Sequence, residues 1–274
     1  MIRFMKLLNF EVSRFIIIFS FMMGTVVGCQ FVAAYLKVKV YLDNTHRTMR
    51  NNSLTYEEFA KEYGKFDLSV ILGSTTFIAP ILFIIAVLVI YVFYIWYRDW
   101  FGKATFSYRL MILPTNRINV YFAKLLVLLL FIFVALAVEV AIIYSLTAWV
   151  PKLIPVEIYN ALSMKALFIN DIFFLVLPTS FKLFLFNYVL GITAVCIVFT
   201  MILFERSFRL KGIVFAILFA LLSVAIILLP AIYQDFTSML YYNELYISMF
   251  VISLLTCGLS ITTANYLLKH KINV

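Results

Sequence analysis

The sequence predicts an all-α integral membrane protein, and three observations carry that prediction. Hydrophobic residues make up 65% of the 274 and charged residues only 13%, whereas an ordinary soluble domain is nearer half apolar and a quarter charged. The apolar residues gather in six long blocks, and net positive charge falls in alternate intervals between them. A soluble chain of this length has no interior large enough for so many apolar side chains, so lipid must cover them.

A bilayer core needs roughly 20 apolar helical residues, because backbone groups in lipid must pair within their own segment. The blocks 15–36, 70–97, 125–149, 183–204, 213–229 and 246–268 meet that length or approach it, and the fifth is the shortest. Pro80 interrupts the second block, which neighbouring helices can tolerate. The spans and their connections use up the chain as one transmembrane domain, 1–274.

Orientation follows from the charges between blocks. With the N-terminus inside, the inner segments hold Arg3, Lys6, Arg14, Arg98, Lys103, Arg109, Arg117, Lys124, Arg206, Arg209, Lys211, Lys269 and Lys271 against Glu11, Asp99 and Glu205. The outer segments hold nine basic and nine acidic residues. Cytoplasmic loops carry the Lys and Arg excess, so both termini are expected in the cytoplasm. The net charge of +9 is then a membrane signature, and no nucleic-acid partner is expected. Cys29, Cys196 and Cys257 all lie in apolar blocks without a CxxC pair, and His46 and His270 lie outside them. Neither a disulfide frame nor a metal site is expected. Val26-Val27-Gly28-Cys29 resembles a lipoprotein cleavage box. The apolar run continues beyond it to full spanning length, which predicts an uncleaved span.

Several segments lie outside the spans. Residues 1–14 place Ile2, Met5, Leu8 and Val12 near one helical face, with Arg3, Lys6 and Arg14 able to reach headgroups. An interfacial amphipathic helix and an ordinary basic flank both fit. Residues 37–69 form the largest polar excursion. Within it Thr55 precedes Glu58 by three residues, the spacing of a capping box, and Gly64 follows as a stop signal. Asn51-Asn52-Ser53 fits a glycosylation sequon. The apolar stretch 166–178 is too short to span unaided and reads as interfacial or re-entrant.

Residues 98–124 join the second and third blocks. Arg98-Asp99-Trp100-Phe101-Gly102-Lys103 leaves the second span, and 104–113 reads as an amphipathic helix with Phe106, Leu110 and Leu113 apolar and Arg109 basic. Pro114 ends it, and Arg117 to Lys124 open the third span. Such a helix either presents a rigid knob to a soluble partner or floats on the membrane surface. In this segment the chain resembles the permease subunits of type-two ABC exporters. The matching residues are Arg98-Asp99, Gly102, Leu110, Leu113-Pro114-Thr115-Asn116-Arg117 and Lys124. The chain departs from the usual pattern where Asp99 replaces a commoner Glu and where Lys103-Ala104-Thr105 interrupts a Gly-Thr pairing. Its last outer loop, 230–245, is also short.

The resemblance implies an N-terminal elbow helix at the interface, six spans and a coupling helix between the second and third. It implies a separate ATPase subunit that holds ATP and Mg and grips 102–114, and a second permease copy or paralogue. Small members of this kind in Gram-positive bacteria export amphipathic peptides, such as phenol-soluble-modulin-type toxins, or confer immunity to them. The implied location is a bacterial plasma membrane. This chain has no phosphate-cradling GxxxxGK[ST] motif: Gly102-Lys103 is followed by Ala104, and Tyr97 stands where the first glycine belongs. No cofactor of its own and no enzymatic activity of its own are expected.

Glu139 is the one acid deep in a span, and an ionisable group there is a functional candidate. It either contacts a cationic substrate in the path or is a partnered Glu facing another helix. Gly24 and Gly28 form a GxxxG pair that permits close helix approach or dimerisation. Two other classes fit a six-span chain: an ATP-independent transporter or channel, and a membrane-embedded enzyme. The first usually shows repeated or broken spans in matching positions, and the second needs converging ligands or acids near span ends. Neither pattern stands out.

Overall fold

The computed structural model describes residues 2–101, 116–160, 176, 178, 180–208, 210–237 and 241–271. The helices in chain order are α1 Ile2–Ser13, α2 Ile16–Asn52, α3 Tyr56–Tyr63, α4 Ser69–Leu72, α5 Thr75–Phe101, α6 Ile118–Trp149, α7 Phe181–Phe208, α8 Leu210–Thr237 and α9 Tyr242–His270. Six of them, α2 and α5 to α9, are long and apolar enough to cross a membrane. No strand occurs among the described residues; one isolated parallel bridge joins Phe66 to Tyr159. The membrane reading is reinforced by what lies on the surface. Phe21, Phe181, Leu210 and Phe236 are 78%, 77%, 82% and 86% exposed. Apolar surface on this scale belongs against lipid or a partner rather than water.

Three boundaries differ from the apolar blocks, and one packed face differs from the expected stripe, each for a local reason. α2 does not stop at Leu36 but runs on to Asn52. No Gly or Pro interrupts 37–52, and Lys39, Asp43 and Arg47 are spaced to pair at i,i+4. It ends where Ser53 turns left-handed at φ 52°. The second block is cut at Gly73-Ser74, where the Ser74 hydroxyl donates to the Ile71 carbonyl at 2.6 Å, and the spanning helix starts afresh at Thr75. α8 passes through Pro230 to Thr237, longer than the block 213–229, because lost proline pairing is tolerated within a long helix in lipid. In α1, Met5 is 58% exposed while Glu11 is fully buried. Its packed face is therefore centred on Glu11, not on the stripe through Met5, and ion pairs described below turn it inward.

The chain forms two compact units. One comprises residues 15–87 and 131–179. Its core gathers Ala34 and Val38 of α2, Phe59 of α3, Ile71 and Leu72 of α4, Phe77 and Ile81 of α5, Ile142 and Leu146 of α6, and the loop residues Phe66, Ile154 and Ile158. Phe131 packs against Phe19 with ring centres 4.6 Å apart and the ring planes tilted by 44°. The Phe66 N–H donates to the Ile158 carbonyl at 2.7 Å, and the Asn160 N–H donates back to Phe66 at 2.9 Å. These bonds tie the two connecting segments together and shelter Phe66 beneath Tyr41.

The capping box expected at Thr55 closes both ways: the Thr55 N–H and hydroxyl each donate to Glu58 Oε2 at 2.8 Å, and the Glu58 N–H donates to Thr55 Oγ1 at 3.4 Å. Gly64, at φ +85°, ends the helix. The two donors from Thr55 hold the Glu58 carboxyl below its usual range. A lowered carboxylate stabilises α3 fully above the ordinary glutamate value, about 4.3, and loses that contribution as pH falls through its lower folded value. Amide exchange across 56–63 is expected to accelerate only in that acid window, and Thr55→Ala, which removes the hydroxyl donor but keeps the N–H, is expected to shrink the acid step. A step unchanged by Thr55→Ala would place its origin elsewhere.

The other unit comprises residues 1–14, 88–130 and 180–274. Its centre is an aromatic stack in which Trp96 and Tyr121 each meet Phe199 edge-on, at 5.5 Å.

Candidate functional site

Charge in an apolar protein is the place to look for function, because each buried ion must be compensated. In the second unit, α1, α5 and α6 bring five charged side chains together. Lys124, in the first turns of α6, is completely buried. Its ammonium donates to Glu11 Oε1 at 3.1 Å, to Asp99 Oδ2, and to the Ile95 carbonyl at 2.7 Å. It also lies 5.3 Å from the centre of the Trp96 ring. Arg98 donates to Glu11 Oε2 at 2.7 Å, and Arg14 donates to Asp99 Oδ1 at 2.7 Å. The two arginine planes rest on Tyr94 and Phe10, at 5.4 and 5.0 Å. Both carboxylates thus bind the shared lysine and one arginine each.

The local sequence explains the assembly. Arg98 and Asp99 are adjacent near the end of α5, so they diverge round the helix, one toward Glu11 and the other toward Lys124 and Arg14. Glu11 and Arg14 are three residues apart, 3.9 Å between charged atoms, across the turn that ends α1. A second set of contacts lies nearby in the same unit. Tyr97 donates its hydroxyl to Glu205, and Arg206 covers Tyr97 and Trp100 at 5.0 and 5.6 Å. Arg117 donates to the Leu268 carbonyl at 2.9 Å. The last turns of α5 and the first turns of α6 are therefore held by ion pairs to α1 and by hydrogen bonds and stacking to α7 and α9. The network ties α5 and α6 to α1, α7 and α9. No protein-family model, curated protein or solved structure matches this chain.

Of the coupling residues expected from the sequence, Arg98, Asp99 and Arg117 take part in these contacts. Phe101 closes α5. Gly102, Phe106, Arg109, Leu110, Leu113 and Pro114 lie outside the described residues, as does the stretch 161–175 that holds most of the expected interfacial piece. Arg14, expected at the headgroups, and Glu11, counted only among the inner acids, both pair inside the protein instead; their signal was the acid-base spacing at 11 and 14 inside an otherwise basic N-terminal segment. At Gly24 and Gly28 an added Cβ would meet nothing within 4 Å among the described residues.

Glu139 sits in the first unit, 7% exposed on α6. Gln30, fully buried on α2, donates its amide Nε2 to both carboxyl oxygens at 3.1 Å. Of the two readings open for Glu139, the arrangement matches a partnered Glu facing another helix. Gln30 was missed because a single amide in an apolar run carries no period. Gln30→Leu removes the donor and is expected to lower stability by about 1–2 kcal/mol, read as a lower midpoint in denaturation from detergent micelles. An unchanged midpoint would mean that the pair carries no net stability. Among the described residues no three His, Cys, Asp or Glu side chains converge as a metal site would require.

Proposed function

We propose that this chain is the membrane-spanning subunit of an ATP-driven exporter of the type-two ABC class, paired with a second permease and driven by a separate ATPase subunit. The observation that carries the reading is the Lys124 clasp. An ATPase that grips 102–114 pushes on the segment between α5 and α6. The bonds from Lys124, Arg98 and Arg14 to Glu11 and Asp99 would pass that push to α1, α5 and α6 as one body. Rigid-body tilting of packed helices is an established route to alternating access. In this reading both termini are cytoplasmic in a bacterial plasma membrane. ATP and Mg stay on the partner, and the cargo is an amphipathic peptide or a hydrophobic molecule.

The test is purification from native membranes in mild detergent, followed by mass spectrometry of the intact complex. A stoichiometric soluble subunit with a Walker motif is expected, together with a second permease. In reconstituted vesicles, Arg109→Glu and Phe106→Ala are expected to leave ATP hydrolysis running while export stops. An intact oligomer without any ATPase would overturn the proposal. It would favour an ion-driven transporter, for which the buried Gln30–Glu139 pair in a span is the supporting observation.

A further inference from the structure

α7 and α9 meet in the second unit along a seam of small polar residues. The Thr193 hydroxyl is shared between the Val189 carbonyl of its own helix at 2.9 Å and the Ser253 carbonyl at 3.2 Å, and the Thr200 hydroxyl between the Cys196 carbonyl at 2.8 Å and the Ser260 carbonyl at 3.0 Å. Ser253, Thr256 and Ser260 are buried along the same seam. From Thr193 to Thr200, and from Ser253 to Ser260, each helix advances about two turns. The two bonds between the helices therefore lock the register and the close approach of parallel helices at both ends of one short stretch. Inside that stretch the Cys257 thiol donates to Cys196 Sγ at 3.7 Å. Cys196 is fully buried, Cys257 is half-buried, and the third thiol, Cys29, is exposed elsewhere.

This placement meets what a disulfide requires. Bridged cysteines need neighbouring backbones and side chains that face one another, and the flanking Thr–carbonyl bonds prevent the two thiols from sliding apart. Closing the 3.7 Å gap to a bond requires the two side chains to turn toward each other within a seam whose register is held on either side. We propose that Cys196 and Cys257 are a dithiol oxidation site, closed to an intrachain disulfide by a hydroperoxide. The partly accessible Cys257 sulfur attacks the terminal peroxide oxygen as its proton leaves. The O–O bond breaks, an alcohol departs, and Cys257 becomes a sulfenic acid. The Cys196 sulfur then attacks the Cys257 sulfur. The S–O bond breaks as the S–S bond forms, and the hydroxyl leaves with the Cys196 proton as water. Two thiols are oxidised, and one hydroperoxide is reduced to an alcohol and water. The product joins α7 covalently to α9.

The test uses the full chain in native membrane vesicles exposed to cumene hydroperoxide, then quenched, denatured and labelled with a maleimide. With three cysteines in the chain, untreated protein is expected to take three labels. Oxidised protein is expected to take one, on Cys29, and to yield a linked peptide pair containing Cys196 and Cys257. Reduction should restore three labels. Cys29→Ser is expected to keep the linkage while removing the remaining label. Three labels after oxidation, Cys257 over-oxidised without a linked peptide, or crosslinks only through Cys29 between chains would each overturn the proposal.

Discussion

Lys124→Met is expected to cost the folded protein about 3 kcal/mol, the low end of the range for removing one partner of a buried ion pair. The low end applies because Glu11 and Asp99 each keep an arginine at 2.7 Å. The reverse removal is worse. In Glu11→Leu/Asp99→Leu the fully buried ammonium of Lys124 retains only the Ile95 carbonyl and the face of Trp96, and a loss of about 5 kcal/mol is expected. Adding Lys124→Met to that pair of changes takes the stranded charge away. The triple variant is therefore expected to be more stable than the double one, since well-packed apolar residues commonly replace a buried ion cluster without loss. Thermal or denaturant midpoints in one detergent suffice to rank the variants. A triple variant no more stable than the double would mean that Lys124 reaches water when its partners are gone. The same triple variant separates folding from coupling: with the clasp replaced by grease, ATP hydrolysis without export is the expected phenotype under the proposed function.

Gly212→Ala is the second large effect. Gly212 is buried in the first turn of α8. A Cβ there would collide with the Phe204 carbonyl oxygen and stand 2.9 Å from both Glu205 Cα and the Phe204 carbonyl carbon. All three are backbone atoms of α7, so no rotamer change relieves the clash, and the two helices must separate. Overpacking of this kind costs about 1–3 kcal/mol, and Gly212→Val is expected to exceed Gly212→Ala. Gly191→Ala is the control, because a Cβ at that position meets nothing within 4 Å. Equal midpoints for the variants at 212 and 191 would refute the close approach of α7 and α8.

What could be read from the chain and what could not divides along sequence distance. The six spans were legible because lipid demands an uninterrupted apolar run, a local property of each block. The Thr55–Glu58 box was legible because its partners are three residues apart. α2 runs past the apolar block because apolarity stops at Leu36 while helix-forming residues do not, and only the apolar run marks a span. Lys124 was recognised as a residue opening a span. Its burial was not visible, because a lysine at that place ordinarily faces headgroups and its partner Glu11 belongs to another helix far back in the chain. The same holds for Gln30 with Glu139 and for Cys196 with Cys257. Each pair joins two apolar helices whose facing sides have no periodic signature when nearly every neighbour is apolar.

The length of α2 makes it a built-in lever for spectroscopy. At 1.5 Å per residue its 37 residues measure about 55 Å, against an apolar core of about 30 Å. Its charged end from Lys37 onward therefore stands well clear of the lipid. If α2 tilts by about 10° around the bilayer centre, its tip sweeps roughly 7 Å. A spin label or fluorophore at Asn52 would convert a small rotation inside the membrane into a displacement large enough to time, turnover by turnover.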